Sequence, residues 1–159
     1  MIGNKLTSSV VLYFLRSSEK KIVQNMTPLA HKHSKNLNVY YDFYGLTSND
    51  LGLYALVDNV IVGAIWSRKI EGNPPLLSVA VLPEQRRKGL GSAMLEQFLL
   101  EAASLYEELN VETYADESSI NFYTKFGFVL REGTMMQKLL KRKEVIRPSD
   151  GYDPRRWMD

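Results

Sequence analysis

The chain has 159 residues, of which 45% are hydrophobic and 24% are charged, and this is the size and composition of one globular domain. It contains no cysteine, which excludes disulfide frameworks, cysteine-ligated metal sites and a cysteine nucleophile. The net charge of +2 is too small to indicate nucleic acid or an anionic membrane as a partner. Apolar runs fall far short of the roughly 20 residues of a membrane helix, and no targeting segment is recognisable. We therefore expect a cytoplasmic protein.

The first predicted element is a strand. Residues 10–16 are β-branched and aromatic, and residues 17–21 after them are typical of a capped helix start. A further helical segment is predicted to begin with Thr27 as its N-cap and Pro28 at its first helical position. This part of the chain thus predicts one strand followed by helix.

A strand hairpin and a buried strand come next. Residues 53–57 and 60–70 are rich in strand-forming residues, and Asp58 and Asn59 between them tolerate positive φ, so we predict a two-residue turn. Residues 76–81 form an apolar run with a single serine, which is typical of a strand buried on both faces.

The strongest helical pattern covers residues 89–109. Its apolar stripe recurs every three or four residues, at Leu90, Met94, Phe98, Ala102, Leu105 and Leu109. A strand is predicted at 110–114, a short helix at 118–126, and a final hairpin from 128–131 and 134–140. The stripe is interpreted as a core face.

This order of elements predicts a mixed α/β domain with antiparallel hairpins around one strand–helix–strand unit. Such a unit crosses over in the right-handed sense, which makes strands 76–81 and 110–114 parallel. We predict a single domain over residues 1–159, in which 144–159 is an irregular tail that contains proline and glycine.

Residues 79–92, with the sequence VAVLPEQRRKGLGS, are the most informative segment. A strand ends, the basic residues 86–88 follow, and Gly89 and Gly91 open the long helix. Glycine lets the backbone approach a ligand, and a helix N-terminus presents unpaired N–H groups and a positive dipole. The segment suits a phosphate or pyrophosphate. It does not match the Walker or dinucleotide fingerprints, and a glycine pair also occurs in plain tight turns.

Two motifs carry a resemblance to a known family. Residues 86–91 (RRKGLG) resemble the R/Q-x-x-G-x-G/A signature of the GNAT superfamily of acyl-CoA-dependent N-acyltransferases, and the strand end at 79–83 matches its V-x-P. Residues 119–128 (SINFYTKFGF) resemble its A-x-x-F-Y-x-K-x-G-F segment. The resemblance covers roughly residues 53–140. It implies a central, mostly antiparallel sheet that is splayed at strand 76–81 and flanked by helices.

The resemblance also implies acetyl-CoA as co-substrate and no metal. The pantetheine arm would bond to the backbone of Val79 and Val81, and Tyr123 takes the position of the family's tyrosine near the CoA sulfur. Where the family often has asparagine, this chain has Asp116, which can cap a helix but cannot donate to pantetheine. The pyrophosphate would lie on the amides of Arg86, Arg87, Lys88, Gly89, Leu90, Gly91 and Ser92.

The implied reaction is N-acetylation of a small-molecule or peptide amine. Because the chain has no cysteine, we expect the amine to attack the thioester directly in a ternary complex. The Val81 N–H would stabilise the oxyanion, and Tyr123, whose ordinary pKa is near 10, would protonate the thiolate. Two alternatives stay open: Tyr123 as a core aromatic, and the chain as an inactive acyl-CoA-binding regulatory module.

Several other residues are weaker candidates for a functional role. Glu71 is either the general base or an exposed turn residue, while His31 and His33 lie two apart, on opposite sides of a helix, and do not form a metal pair. The last hairpin and the tail are candidate elements of a homodimer. An aromatic cluster either lines an acceptor pocket or packs its loop onto the core: Tyr40, Tyr41, Phe43 and Tyr44.

Overall fold

Seven strands in one mixed sheet and three α-helices make up the part of the chain that the computed structural model describes, residues 10–31, 50–70, 72–86, 89–114 and 116–140. Short 3-10 turns precede the first and second of these helices. The strands are β1 (Val10–Phe14), β2 (Gly52–Val57), β3 (Val60–Ile70), β4 (Asn73–Val81), β5 (Glu108–Glu112), β6 (Val129–Glu132) and β7 (Met135–Leu139). The helices are α1 (Lys20–Ala30), α2 (Leu90–Ala102) and α3 (Glu117–Lys125).

The sheet has the order β1-β2-β3-β4-β5-β7-β6, and its strands pair antiparallel except for β4 with β5. That parallel pair is short: Leu76 opposes Asn110, Leu77 opposes Val111, and the register then ends although β4 continues to Val81. The two strands therefore diverge beyond Leu77. The predicted α/β class, the parallel pair and the splay at strand 76–81 are confirmed.

The hairpin between β2 and β3 has the predicted turn. Asp58 and Asn59 have φ values of 52° and 68°, and Val57 pairs with Val60 across them. Positive φ at both central residues is the requirement of a type I′ turn, whose twist matches that of the two strands. The sequence prediction at this turn is confirmed.

The helices cover both faces of the sheet. On one face, Val23 and Met26 of α1 pack against Ala64, Trp66 and Ala80. The opposite face holds the larger core, in which α2 contributes Met94, Leu95 and Phe98 against residues of β2 to β5, with Tyr123 of α3 at its edge. Because side chains alternate along β4, neighbouring residues of this strand reach opposite faces.

The prediction of a helix that begins at Thr27 is wrong. Thr27 and Pro28 lie in the last turn of α1, which begins at Lys20. The Thr27 hydroxyl donates to the Val23 carbonyl of the preceding turn at 2.6 Å. It therefore bonds within α1 and does not cap the N-terminus of a new helix. Pro28 has no N–H, so the last turn lacks the bond that this position would donate to the carbonyl of Gln24, four residues before it.

The long helix predicted over residues 89–109 is too long. Helix α2 has 13 residues and ends at Ala102, and the next strand begins at Glu108 rather than 110. Leu109 and Val111 are both buried at strand spacing, whereas Leu105 is 41% exposed between the two elements. The apolar spacing of Leu105 and Leu109 therefore mimics a helix that is absent. No helix in the described ranges is long and apolar enough to cross a bilayer.

Candidate active site

A cleft of about 560 Å³ lies where β4 and β5 diverge. Its walls come from β4, the end of β5, the start of α2, one face of α3 and the last turn of α1. Since α1 and α2 cover opposite faces of the sheet, the cleft passes through the sheet. It brings together the predicted site residues that the structure describes: Val79, Val81, Arg86, Gly89, Leu90, Gly91, Ser92 and Tyr123.

Several candidates lie outside the described residues. These include two of the three basic residues of the loop before α2 and the acidic candidate for the general base. The aromatic cluster of residues 40–44 and the predicted irregular segment 144–159 lie outside them as well. The individual residues concerned are Arg87, Lys88, Glu71 and His33.

The backbone of β4 faces the cleft beyond Leu77. The Leu82 amide donates to the Val62 carbonyl of β3 at 2.9 Å. Because the backbone groups of successive strand residues point to opposite sides, those of Val79 and Val81 point away from β3, toward the gap. The Arg86 guanidinium donates to the Val81 carbonyl at 3.3 Å from that side. A ligand in the gap would therefore meet strand backbone.

The start of α2 presents backbone amides to the same cleft. Gly89 is the N-cap residue with φ +82°, and it makes no side-chain capping bond. The first amide bonded within the helix is that of Ala93, which donates to the Gly89 carbonyl at 3.0 Å. The amides of Leu90, Gly91 and Ser92 precede it, so they and the helix dipole form a site suited to an anion.

Tyr123 joins the core to the cleft. Its ring packs edge-on against Phe122 and Phe128, with centroids 5.1 and 5.4 Å away, and its residue is 7% exposed. Burial raises the pKa of the Tyr123 hydroxyl well above its ordinary value. This hydroxyl has no hydrogen-bond partner among the residues that the structure describes. Tyr123 therefore belongs to the core and also lines the cleft.

Asp116 occupies the N-cap position of α3 and lines the cleft. Its carboxylate accepts the hydroxyls of Ser118 and Ser119, the latter at 2.9 Å, and makes no capping bond to an amide of the helix. The Asp116 carbonyl accepts the amide of Ile120 at 3.0 Å. Asp116 therefore occupies the N-cap position, as predicted, but its side chain does not cap the helix.

A polar bridge joins β4 to the end of β5. His31, which directly follows α1, is 2% exposed, with Nε2 at 2.7 Å from the Ser78 hydroxyl and Nδ1 at 3.0 Å from the Tyr114 hydroxyl. Burial, assisted by the positive charge of Arg68, lowers the pKa of His31 to about 4, so the imidazole is neutral near pH 7. The described part of the chain holds no group of three potential metal ligands. His31 is thus an uncharged, buried residue that links β4 to the turn after β5.

Ser78 and Tyr114 were not assigned to the site from the sequence. Ser78 left one signal, since it is the single polar residue of an otherwise apolar strand. Tyr114 gave no signal in the sequence, because its position was predicted to be part of a strand. In the structure its φ is +55° and the chain turns there. The left-handed conformation of Tyr114 costs about 1 kcal/mol or more in a residue with a Cβ atom.

A sequence profile of the acetyltransferase (GNAT) domain matches residues 49–130. This range includes β4, the glycines at the start of α2, and Tyr123. The chain belongs to the GNAT acetyltransferase family. No curated protein matches the chain by sequence.

Solved structures of acetyltransferases share the fold of this chain. A GNAT acetyltransferase from Staphylococcus aureus Mu50 has a TM-score of 0.65 at 17% identity, covering 84% of this chain and 100% of its own. The ribosomal-protein-S18-alanine N-acetyltransferase of Escherichia coli has a TM-score of 0.64 at 16% identity, covering 83% and 94%. YncA of Salmonella typhimurium, solved with acetyl-CoA, has a TM-score of 0.65 at 18% identity, covering 84% and 95%. At these sequence identities, the similarity shows a shared fold and nothing about the substrate.

The two glycines of the GNAT signature differ in what they tolerate. An alanine at Gly89 would need φ near +82°, whereas a Cβ at Gly91 would meet Phe122 at 3.6 Å and Val81 at 4.0 Å, which are ordinary contacts. We expect Gly89→Ala to lower the free energy of unfolding by about 1 kcal/mol and Gly91→Ala to leave it unchanged or slightly raised. Urea denaturation checks this, and equal losses for the two variants would contradict it.

The buried His31 gives the GNAT fold a specific pH dependence. Its pKa is about 4 when folded and about 6.5 when unfolded, so between these pH values the unfolded chain binds a proton that the folded chain does not. Stability is therefore lost as the pH falls through this window, by up to about 3 kcal/mol. Urea denaturation at pH 7, 6 and 5 should give a steeper decline for the unaltered protein than for His31→Gln. Parallel curves would contradict the prediction.

Proposed function

We propose that this chain transfers an acetyl group from acetyl-CoA to a primary amine by direct attack in a ternary complex. The observation that carries the proposal is the cleft opened by the divergence of β4 and β5, with exposed strand backbone on one side and a helix start on another. The family supports an acyl transfer, and YncA and the PaiA N-acetyltransferase of Thermoplasma acidophilum were solved with acetyl-CoA and CoA.

The described lining fits the chemistry of CoA. The backbone groups of Val79 and Val81 point into the gap, where the amides of a pantetheine arm can bond to them as a further strand would. The pyrophosphate then lies on the amides of residues 89–92 at the start of α2. Arg86 adds positive charge to this end of the cleft, and we assign the same role to Arg87 and Lys88.

Two groups of the chain serve the reacting atoms. The Val81 N–H stabilises the negative charge that develops on the thioester oxygen as the amine attacks. Tyr123 donates its proton to the departing sulfur and regains the proton that the nitrogen releases, so one proton moves in net from nitrogen to sulfur. The raised pKa of Tyr123 keeps this proton in place at neutral pH. Burial also makes a free thiolate costly, so the departing sulfur depends on this proton transfer.

The acceptor class is a small-molecule or peptide amine. The fold relative from Escherichia coli is named for acetylating an alanine of ribosomal protein S18, which supports the inclusion of peptide N-termini. We also propose a cytoplasmic location, and assembly as a homodimer through the last hairpin and tail. Nucleic acid and membrane are not among the partners that we propose.

The test is thiol release from acetyl-CoA. The protein is incubated with acetyl-CoA and a panel that holds spermidine, L-lysine, tyramine and a peptide with N-terminal alanine, and free CoA is titrated. We expect thiol release that depends on at least one amine. Binding of CoA without turnover on an amine of any class would favour the inactive regulatory module, and no binding of CoA would overturn both readings.

Tyr123→Phe separates catalysis from binding. We expect kcat to fall about 100-fold, because a general acid contributes roughly that much or more, while the affinity for CoA stays within about twofold. Stability should not fall, since the hydroxyl has no hydrogen-bond partner in the described part of the chain.

Tyr106→Phe is the matched control for this substitution. Tyr106 is also a buried tyrosine, but its hydroxyl lies 2.7 Å from that of Ser67 and it does not line the cleft. Its loss should cost about 1 kcal/mol of stability and leave kcat unchanged. An unchanged kcat in Tyr123→Phe would remove Tyr123 from the mechanism.

A further inference from the structure

The alternation of side chains along β3 breaks near the start of the strand. Val62 and Ile65 pack in the core under α2, whereas Ile61 and Ala64 pack in the core under α1. In a regular strand, residues three apart lie on opposite faces of the sheet. Each of these two pairs is three apart and shares a face, so an irregularity lies between Ile61 and Ala64.

The pairing with β2 identifies this irregularity as a β-bulge. Gly63 opposes Ala55 and Ile61 opposes Leu56, which leaves Val62 as the extra residue of β3. In a bulge, two residues of one strand face a single residue of the partner strand, and the bulged strand bends and redirects its side-chain positions. Val62 and Gly63, although adjacent, therefore both face α2.

Gly63 lies directly under the first turn of α2. A Cβ atom built on it would lie 3.2 Å from Met94 Cε, 3.3 Å from Leu90 Cδ2 and 3.0 Å from the Ala80 carbonyl oxygen. Carbon atoms in contact prefer about 3.5 to 4.0 Å, so all three neighbours are too close for a side chain. Leu90 and Met94 are 1% and 0% exposed, which leaves them little room to move aside. Only glycine lets α2 approach the sheet this closely.

The two elements proposed to hold CoA meet beside Gly63. Val81, whose backbone faces the gap, is the residue of β4 that opposes Gly63. Leu90, which packs on Gly63, is the first residue of α2 and carries one of the amides of the anion site. A Cβ at Gly91 would lie 4.0 Å from the Val81 side chain, so the helix start adjoins the end of the strand. Gly63 thus touches the supports of both elements and lines neither.

We propose that Gly63, placed by the bulge of β3, is a positioning residue for CoA that fixes the spacing between the strand edge and the helix start. The inference rests on the CoA-binding part of the proposed function. CoA links pantetheine to a pyrophosphate, and binding of one part makes binding of the other an intramolecular event. This gain is lost when the two sites are wrongly spaced. A change at Gly63 should therefore weaken binding of whole CoA and leave binding of each half unchanged.

The test is the Kd of three ligands for the unaltered protein and for Gly63→Ala. Calorimetry gives the Kd for CoA, and amide chemical shifts of ¹⁵N-labelled protein give those for pantetheine and for ADP, which carries the pyrophosphate. The new methyl group must push the start of α2 or the end of β4 aside by a few tenths of an ångström. We expect the Kd for CoA to rise about tenfold, and those for pantetheine and ADP to stay within about twofold.

Two further variants separate spacing from a general loss of stability. Val23→Ala trims a fully buried side chain in the core under α1, away from the cleft, and should leave the Kd for CoA within about twofold. Met94→Leu removes the Cε atom nearest to the added methyl group at little cost in volume. Gly63→Ala combined with Met94→Leu should therefore bind CoA more tightly than Gly63→Ala alone, and it replaces the single variant if that one does not fold.

The outcomes separate this inference from the function on which it rests. A Kd for CoA that rises no more in Gly63→Ala than in Val23→Ala would overturn the inference. Pantetheine and ADP that weaken in parallel with CoA would overturn it too, as would an unaltered protein that binds neither half. A protein that binds CoA and acetylates no amine would overturn the proposed transfer alone, whereas one that binds no CoA would overturn both.

Discussion

The early end of backbone pairing between β4 and β5 is the constraint on which the rest of the structure depends. Beyond Leu77 the two strands part, and β4 keeps strand geometry because β3 still pairs with it up to Val81. A strand whose backbone groups are hydrogen-bonded on one side only is an exposed edge. Most proteins cover such an edge, because another strand can pair with it. Here the edge forms the wall of a cleft, where backbone groups of β4 that do not pair with β5 face a ligand that carries amides of its own.

The parting of the strands also has a cost, and the molecule offsets it locally. Buried polar groups need hydrogen-bond partners, and the buried His31 has one on each side of the gap, Ser78 and Tyr114. The helices reinforce the arrangement from both faces, because α2 packs Met94 and Phe98 over the sheet while α1 packs Val23 and Met26 beneath it. The cleft is therefore bordered by packed helices on both faces and by a neutral hydrogen-bonded bridge.

Much of this architecture could be predicted from local sequence signals. Asp58 and Asn59 specify their turn through backbone chemistry alone. The strand–loop–glycine pattern before α2 predicts a helix start suited to an anion without tertiary information. Leu105 and Leu109 misled the helix prediction, because spacing cannot distinguish a helix from a turn followed by a strand. The bridge escaped prediction for another reason: His31, Ser78 and Tyr114 are far apart in sequence and meet only in the fold, and Tyr114 owes its direction to a positive φ that its residue type does not favour.

The measurement that tests the central claim most directly is a titration of CoA into ¹⁵N-labelled protein, followed by backbone amide chemical shifts. A ligand that lies along the open edge of β4, with its pyrophosphate on the start of α2, should shift the amides of Val79, Val81 and residues 89–92 most strongly. Amides of β1 and β2, on the far side of β3, should stay unshifted and serve as the internal reference. Largest shifts elsewhere, with Val79 and Val81 unmoved, would contradict the claim that the divergence of β4 and β5 forms the cofactor cleft.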